Sequence, residues 1–373
     1  MSTFNTSNIE NLTGGAPDFS QGLTVGGTSI TSLVNLTEFY DQASEPSSPA
    51  NGAVWWDGTD MYQYMNSAWR IVSVTPPPVP YFGDRGLFGG GYIRSTATYS
   101  PSIDYITIST TGNAADFGDL TTARVSLAAC AGGSRGVFGG GGDTSGVSDI
   151  IDYVTISSLG NATDFGDLLA GISNLAACSN GTYGVFGGGL ISGFQNILQY
   201  ITVGTTGNST DFGDLTTTSY NLSACADATR GVFGAGQGTG ESWKLDYITI
   251  DTPANATDFG NTSFNRAQTA ACSDGTYGVF AGGGPPPSAV RNIIDRITIQ
   301  TTATATDFGD LTFARGSLSG VSNGTRGVFA GGFADFAVYQ NIIDYITIAT
   351  PGNATDFGDL TTDLASQGAC SGA

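Results

Sequence analysis

The sequence predicts an all-β fold, a ring of six four-stranded sheets preceded by a small β-hairpin or meander. Three observations predict it. A pentad Gly-x-Phe-(Gly/Ala)-Gly begins at Gly86, Gly136, Gly184, Gly231, Gly278 and Gly327, so it recurs every 47–50 residues, with a variant last place in the fourth copy, GVFGA. Each copy is followed by a strand-like run (IDYITI in the first, 103–108) and then by a variant of NATDFGDL, such as residues 161–168. A run of small residues closes each unit: LAAC, LAAC, LSAC, TAAC, LSGV and QGAC. Four extended segments per unit of this length are the signature of a β-propeller blade.

We name the segments a (LAAC), b (GVFGG), c (DYITI) and d (DFGDL). Strands a and b carry Ala, Cys and Gly, which suit a crowded axis. Strand c is apolar on both faces, with Ile103 and Tyr105 on one and Ile106 and Ile108 on the other, as for a strand covered on both sides. The first unit lacks a strand a, and the chain ends on an extra one, SQGACSGA (366–373). That strand is expected to complete the first blade and close the ring without an exposed edge.

The remaining chain divides into an extended attachment segment (1–50), an aromatic β-meander (51–75) and a Pro-rich linker (76–85) before the propeller (86–373). In the meander, WWDGTDMYQY places a turn at 57–60 between aromatic runs. PPPVP (76–80) reads as a stiff spacer.

Composition removes several function classes. Lys and Arg total 12 against 32 Asp and Glu, a net charge of −20, which leaves no basic footprint for nucleic acid. Histidine is absent, which removes the commonest general base and most zinc sites. No run of 18 apolar residues predicts membrane insertion.

Two motifs invite chemistry. The Asp-Phe-Gly triplet lacks the lysine strand, catalytic loop and phosphate loop that a kinase needs, and it occurs six times. Its aspartates are the candidate cation ligands: Asp116 with Asp119, and Asp164 with Asp167, for Ca²⁺ as the one cofactor considered. The preferred reading is architectural: Asp caps a turn, Gly takes a positive φ and Phe plugs between blades. Cys130, Cys178, Cys225, Cys272 and Cys370 share one repeat position, occupied by Val321 in the sixth unit, so they are expected to be buried structural thiols.

Loops b–c vary between copies while loops a–b and c–d hardly do, the usual plan of a recognition surface. The candidate contact residues for a host glycan or protein are Tyr92, Arg94, Tyr99, Phe194, Trp243, Phe333, Phe336 and Tyr339, with the aromatics expected to be exposed. An alternative is that they cover the frame's own rim.

The repeats resemble the kelch family over residues 86–373. They share its glycine doublet ending strand b, its aromatic in strand c, and an aromatic followed by Leu in strand d, with Phe117, Phe165, Phe212, Phe259, Phe308 and Phe357 where kelch repeats carry Trp. Residues 17–74 resemble short modules of bacteriophage tail-fibre and virion appendage proteins, through Pro-x-x-Gly-x-x-Trp-Trp-Asp, then Tyr-x-Tyr, then Trp. That resemblance implies a non-enzymatic virion protein, made in the host cytoplasm, as a fibre or surface decoration. Phe19, Leu23, Trp55, Trp56, Tyr62, Tyr64 and Trp69 would attach it to other virion proteins, in an oligomer or singly. The alternatives are a lectin-like propeller and a glycan-processing enzyme. Copper oxidases of kelch shape use histidine ligands, and this chain has none. An acidic hydrolase would need carboxylates such as Asp143, Asp149, Glu241 and Asp335 to converge about 5–10 Å apart.

Overall fold

The computed structural model describes residues 83–238, 243–284, 290–335 and 338–372, residue 53, and the backbone of six strands between 23 and 71. The described residues are all strand, turn and loop, with no helix. The chain divides into two compact units, 1–78 and 79–373.

In the first unit, Leu23–Val25 and Thr28–Ile30 form a two-stranded ribbon. A four-stranded sheet runs in the order Phe39–Asp41, Val54–Trp56, Met61–Met65, Ala68–Ile71. Its antiparallel register sets Trp55 opposite Tyr62 and Tyr64 opposite Trp69, as the aromatic meander implied. The sheet also recruits Phe39–Asp41, parallel to Val54–Trp56, so it starts before residue 51. A three-residue strand with a long connection carries too little alternation to be read from sequence. Phe19 lies outside the described residues, and the aromatic side chains of this sheet are likewise undescribed.

The second unit contains six four-stranded antiparallel sheets, each ordered a-b-c-d. Sheets II to VI use consecutive strands: sheet II is Ala128–Gly132, Arg135–Gly139, Ile150–Thr155 and Thr163–Asp167. Sheets III to VI begin at Ala176, Ser223, Ala270 and Ser319. Sheet I takes its strand a from the far end of the chain: Gly368–Gly372 pairs with Arg85–Gly89, followed by Ser102–Thr107 and Ala115–Asp119. Strand a of each sheet neighbours strand a of the next, and strand a of sheet VI neighbours that of sheet I.

The repeat residues explain how neighbouring sheets pack. The first glycine of each pentad lies under a side chain of the preceding sheet's strand a. A Cβ on Gly184 would sit 2.5 Å from Cys130 Sγ; at Gly86 the neighbour is Val321 instead. The five thiols are therefore buried fillers between sheets, and they are unpaired. Burial pushes the Cys130 thiol up to about 12. The phenylalanine of strand b fills the same seam (Phe138, Phe186, Phe280 and Phe329 are fully buried), each contributing roughly 1.5–3 kcal/mol by burial.

DFGDL forms the extended segment d as expected: DFGD, or DFGN in sheet IV, lies within strand d of each sheet, beside a bulge in its pairing with strand c, so its Asp sits on a strand where a turn cap was expected. The bulge turns Phe165 inward, to 2% exposure. Gly166 takes φ 145°, and a Cβ there would meet the Gly207 carbonyl of the next sheet at 2.5 Å. The same approach is held by Gly207 N–H donating to Phe165 O at 2.8 Å. Asn208 of the next copy then accepts from Asp167 N–H through Oδ1 at 3.0 Å. The octapeptide is thus a lateral joint: its Asn reaches back to one sheet, and its Phe-Gly-Asp backbone receives the next.

Strands b and c carry one further pairing. Arg85, Arg135, Arg230 and Arg326 stack on Tyr105, Tyr153, Tyr247 and Tyr345 at 4.1–5.0 Å from the ring centroid. In sheet V the residues exchange places, with Arg296 on strand c over Tyr277 on strand b at 4.4 Å, which accounts for the irregular IDRITI. Sheet III substitutes Tyr183 against Tyr200.

Candidate functional site

The c-strand aspartates, not those of DFGD, do most of the capping. Asp152 accepts from Thr121 Oγ1 at 2.5 Å, Asp295 from Ser263 N–H at 2.9 Å, and Asp104 from Thr361 N–H at 3.0 Å. Each ties the loop entering its sheet to strand c. Of the motif aspartates, Asp258 caps Gly260 N–H at 3.0 Å. Asp116, Asp164 and Asp167 are exposed and Asp119 is half-buried. Among the described residues, no three acidic or thiol groups gather as a metal site.

Loops b–c and d–a emerge together and pair with one another in all six sheets. Val125 bridges Gly142, Ser173 bridges Leu190, Ala267 bridges Gly284 and Gly316 bridges Phe333. Tyr220 pairs with Gln237, and Ala365 with Tyr92. The predicted contact aromatics mostly touch one another or a neighbouring loop ring. Tyr92 meets Tyr99 and Tyr339 at 5.9 Å each, and Tyr339 meets Phe333 at 6.0 Å, a row spanning the loops of sheets I and VI. Burial, together with the neighbouring Tyr92, pushes the Tyr339 phenol up. Phe194 stacks on Tyr220 at 4.6 Å. Tyr92, Tyr99, Phe194, Trp243 and Tyr339 are half-buried and Arg94 is exposed. Phe333, expected to be exposed, is buried at 5%, because it continues the b–c ribbon back onto Gly316 and Tyr339. Phe336 lies outside the described residues. Asp143 is engaged in its own turn, accepting from Ser145 N–H at 2.6 Å, while Asp149 is exposed; Glu241 and the side chain of Asp335 are undescribed.

Six residues preceding the a strands form the inner rim of this face: Ser126, Asn174, Asn221, Gln268, Ser317 and Ser366. All six have φ between 54° and 62°. Each N–H donates to the carbonyl of its counterpart in the neighbouring sheet, at 2.8–2.9 Å. The bonds run from 126 to 366, 317, 268, 221, 174 and back to 126. Their side chains ring a shallow polar recess.

Sequence reasoning missed one feature, the buried ion pairs between loop d–a and strand c. Arg124, Arg266 and Arg315 pair with Asp152, Asp295 and Asp344 at 2.5–2.9 Å, every side chain fully buried. Arg124 Nη1 also donates to Gly140 O (2.8 Å) and Ile150 O (2.7 Å). Arg266 reaches Gly282 O, Ile293 O and Phe280 O. The three other sheets lack the arginine. Sheet III has Ile172 at that position and the neutral Gln199 on strand c, and sheet I has Leu364 and Asp104 at the two places. In sheet IV the position is Ser219, and a cavity of about 330 Å³ opens there, lined by Ser219, Phe233, Lys244, Asp246, Asp258 and Asn261, among others. Asp246 is 5% exposed and keeps hydrogen bonds from Thr216, with Lys244 Nζ at 3.9 Å. Burial pushes its carboxyl up, as it does that of Asp104. The signal was present in the repeat alignment, where Ser replaces Arg opposite a retained Asp.

No protein-family model matches the chain, and no curated protein is significantly similar to it.

Proposed function

We propose that the chain is a non-enzymatic structural protein of a phage virion. Its second unit is read as a six-bladed, kelch-like propeller closed by strand Gly368–Gly372. The first unit docks on the particle, and loops b–c contact a host surface or a neighbouring virion protein. The observation that carries the reading is a constant frame bearing six different b–c loops on one face, above the continuous cycle of rim hydrogen bonds. Such a frame orients varied loops without relying on any one of them for its fold. The cyclic contacts between the a strands support closure at six. The tail-fibre resemblance of residues 17–74, in a separately compact unit, supports docking through the N-terminal part.

Cross-linking mass spectrometry on intact particles tests this. Expected are links from residues 1–78 to another virion protein; absence of the chain from purified particles overturns the reading. The row Tyr99–Tyr92–Tyr339 favours a second reading, a glycan-binding face, because half-buried phenols in mutual contact can offer a flat ring face to a sugar. Glycan-array binding by the full chain that is lost in Tyr92→Ala would support it.

A further inference from the structure

We infer that the cavity of sheet IV is a receptor for a guanidinium group, supplied by an arginine side chain of a partner protein. The proposal does not depend on the virion reading. Its template is internal. In sheets II, V and VI an arginine from loop d–a occupies the equivalent place, satisfied by the strand-c carboxylate and by main-chain carbonyls at the end of strand b and the start of strand c. Sheet IV keeps the carboxylate and two of those main-chain positions at the cavity. Asp246 stands where Asp152 does, and Phe233 and Lys244, which line the cavity with it, stand where Phe280 and Ile150 do. Ala235 stands where Gly140 does, at φ 53° beside 68°, and its N–H donates to Lys244 O at 3.2 Å, as Gly140 N–H donates to Ile150 O at 3.0 Å. Among the described residues of sheet IV the arginine donor is missing: Ser219 stands in its place and lines the cavity with a side chain too short to fill it.

The charge balance points the same way. Among the described residues lining the cavity, Asp246 and Asp258 stand against the single ammonium of Lys244, which is about a third exposed and stays 3.9 Å from the carboxylate. A lysine already beside the site therefore does not close it. A planar group with several donors can satisfy a carboxylate and divergent carbonyls together, which a point-like ammonium does not. Sheet I supplies the contrast: Leu364 occupies the same position there and is buried.

Titration calorimetry on the full chain tests the site with agmatine and Nα-acetylarginine amide, beside Nα-acetyllysine amide as control. Both guanidinium probes are expected to bind, with the lysine probe at least tenfold weaker. Asp246→Asn keeps an acceptor for Thr216 and should weaken binding at least tenfold. Ser219→Arg should fill the cavity from within, raise the melting temperature and abolish binding. Lack of binding to the parent chain, equal binding of the lysine probe, undiminished binding in either variant, or a Ser219→Arg chain that fails to fold would each overturn the proposal.

Discussion

At the scale of single residues, the repeat positions with least side chain are the least replaceable. Gly166→Ala must both leave φ 145° and displace the Gly207 carbonyl, so we expect a loss of about 2 kcal/mol or more, read as a lower denaturant midpoint at unchanged slope. The buried pairs behave differently. Arg124→Ile alone strands the Asp152 carboxylate and should cost roughly 3–5 kcal/mol. Adding Asp152→Gln copies the Ile172–Gln199 arrangement of sheet III, where Gln199 Oε1 accepts from Leu169 N–H at 2.8 Å. The double variant should therefore be more stable than the single one, a coupling that a double-mutant cycle in urea measures directly. The cysteines make a simpler forecast. With all five thiols buried and burial pushing each of them up, a disulfide-exchange reagent at pH 8 should label none of the five until the chain unfolds.

At the scale of elements, the loop entering each sheet is fastened by the strand-c acid, and the charge state of that acid governs the fastening. Asp104 and Asp246 have folded pKa values above the ordinary 3.8, because burial outweighs the hydrogen bonds from Thr361 and Thr216. The folded state then binds more protons than the unfolded state between the two values, so this contribution opposes folding at neutral pH. It disappears as pH falls through the raised values. The double variant Asp104→Asn/Asp246→Asn should accordingly flatten the gain in stability between neutral pH and about pH 4, as followed by thermal melts across that range. The elements themselves were legible because four segments recurred at one spacing: the pentad, the DYITI run and the small-residue run each became a strand. DFGDL was legible as the fourth strand, but its Asp was assigned a turn-capping role because Asp and Gly are turn formers. The bulge and the carbonyl of the adjacent sheet give the glycine its role, and neither is local in sequence. The arginine clamps were missed for a related reason. A single Arg in a Thr-rich loop reads as a solvated charge until its carboxylate, some 28 residues on for Arg124, is known to face it.

At the scale of the whole molecule, the two ends of the second unit meet in sheet I. Its innermost strand comes from Gly368–Gly372, and the seam with sheet VI carries Gln367 Nε2 to Ala330 O at 2.9 Å and Asn323 Nδ2 to Asp84 at 2.9 Å. Removing residues 366–373 should unpair strand b of sheet I and break two rim hydrogen bonds. Loss of a single cooperative melt and gain of dye-binding apolar surface are the expected readouts, and retention of a cooperative melt at the parent temperature would contradict the placement. That pairing was legible from the bare count of a strands. The cavity in sheet IV was not, since it arises where one copy departs from the rest, and a search for repetition looks past departures.

The rim of six amides has a further consequence. In a helix, aligned peptide groups add into a dipole with a positive and a negative end. Here each residue donates through its N–H and accepts through its C=O, on the two peptide groups that flank one Cα, so the cycle has no first donor and no last acceptor. The cycle is closed, with no free end from which fraying can start. No member can open alone without interrupting the circuit for the other five. The six amides should therefore exchange with deuterium as one group, at the slow rate of global unfolding, even though they lie beside solvent.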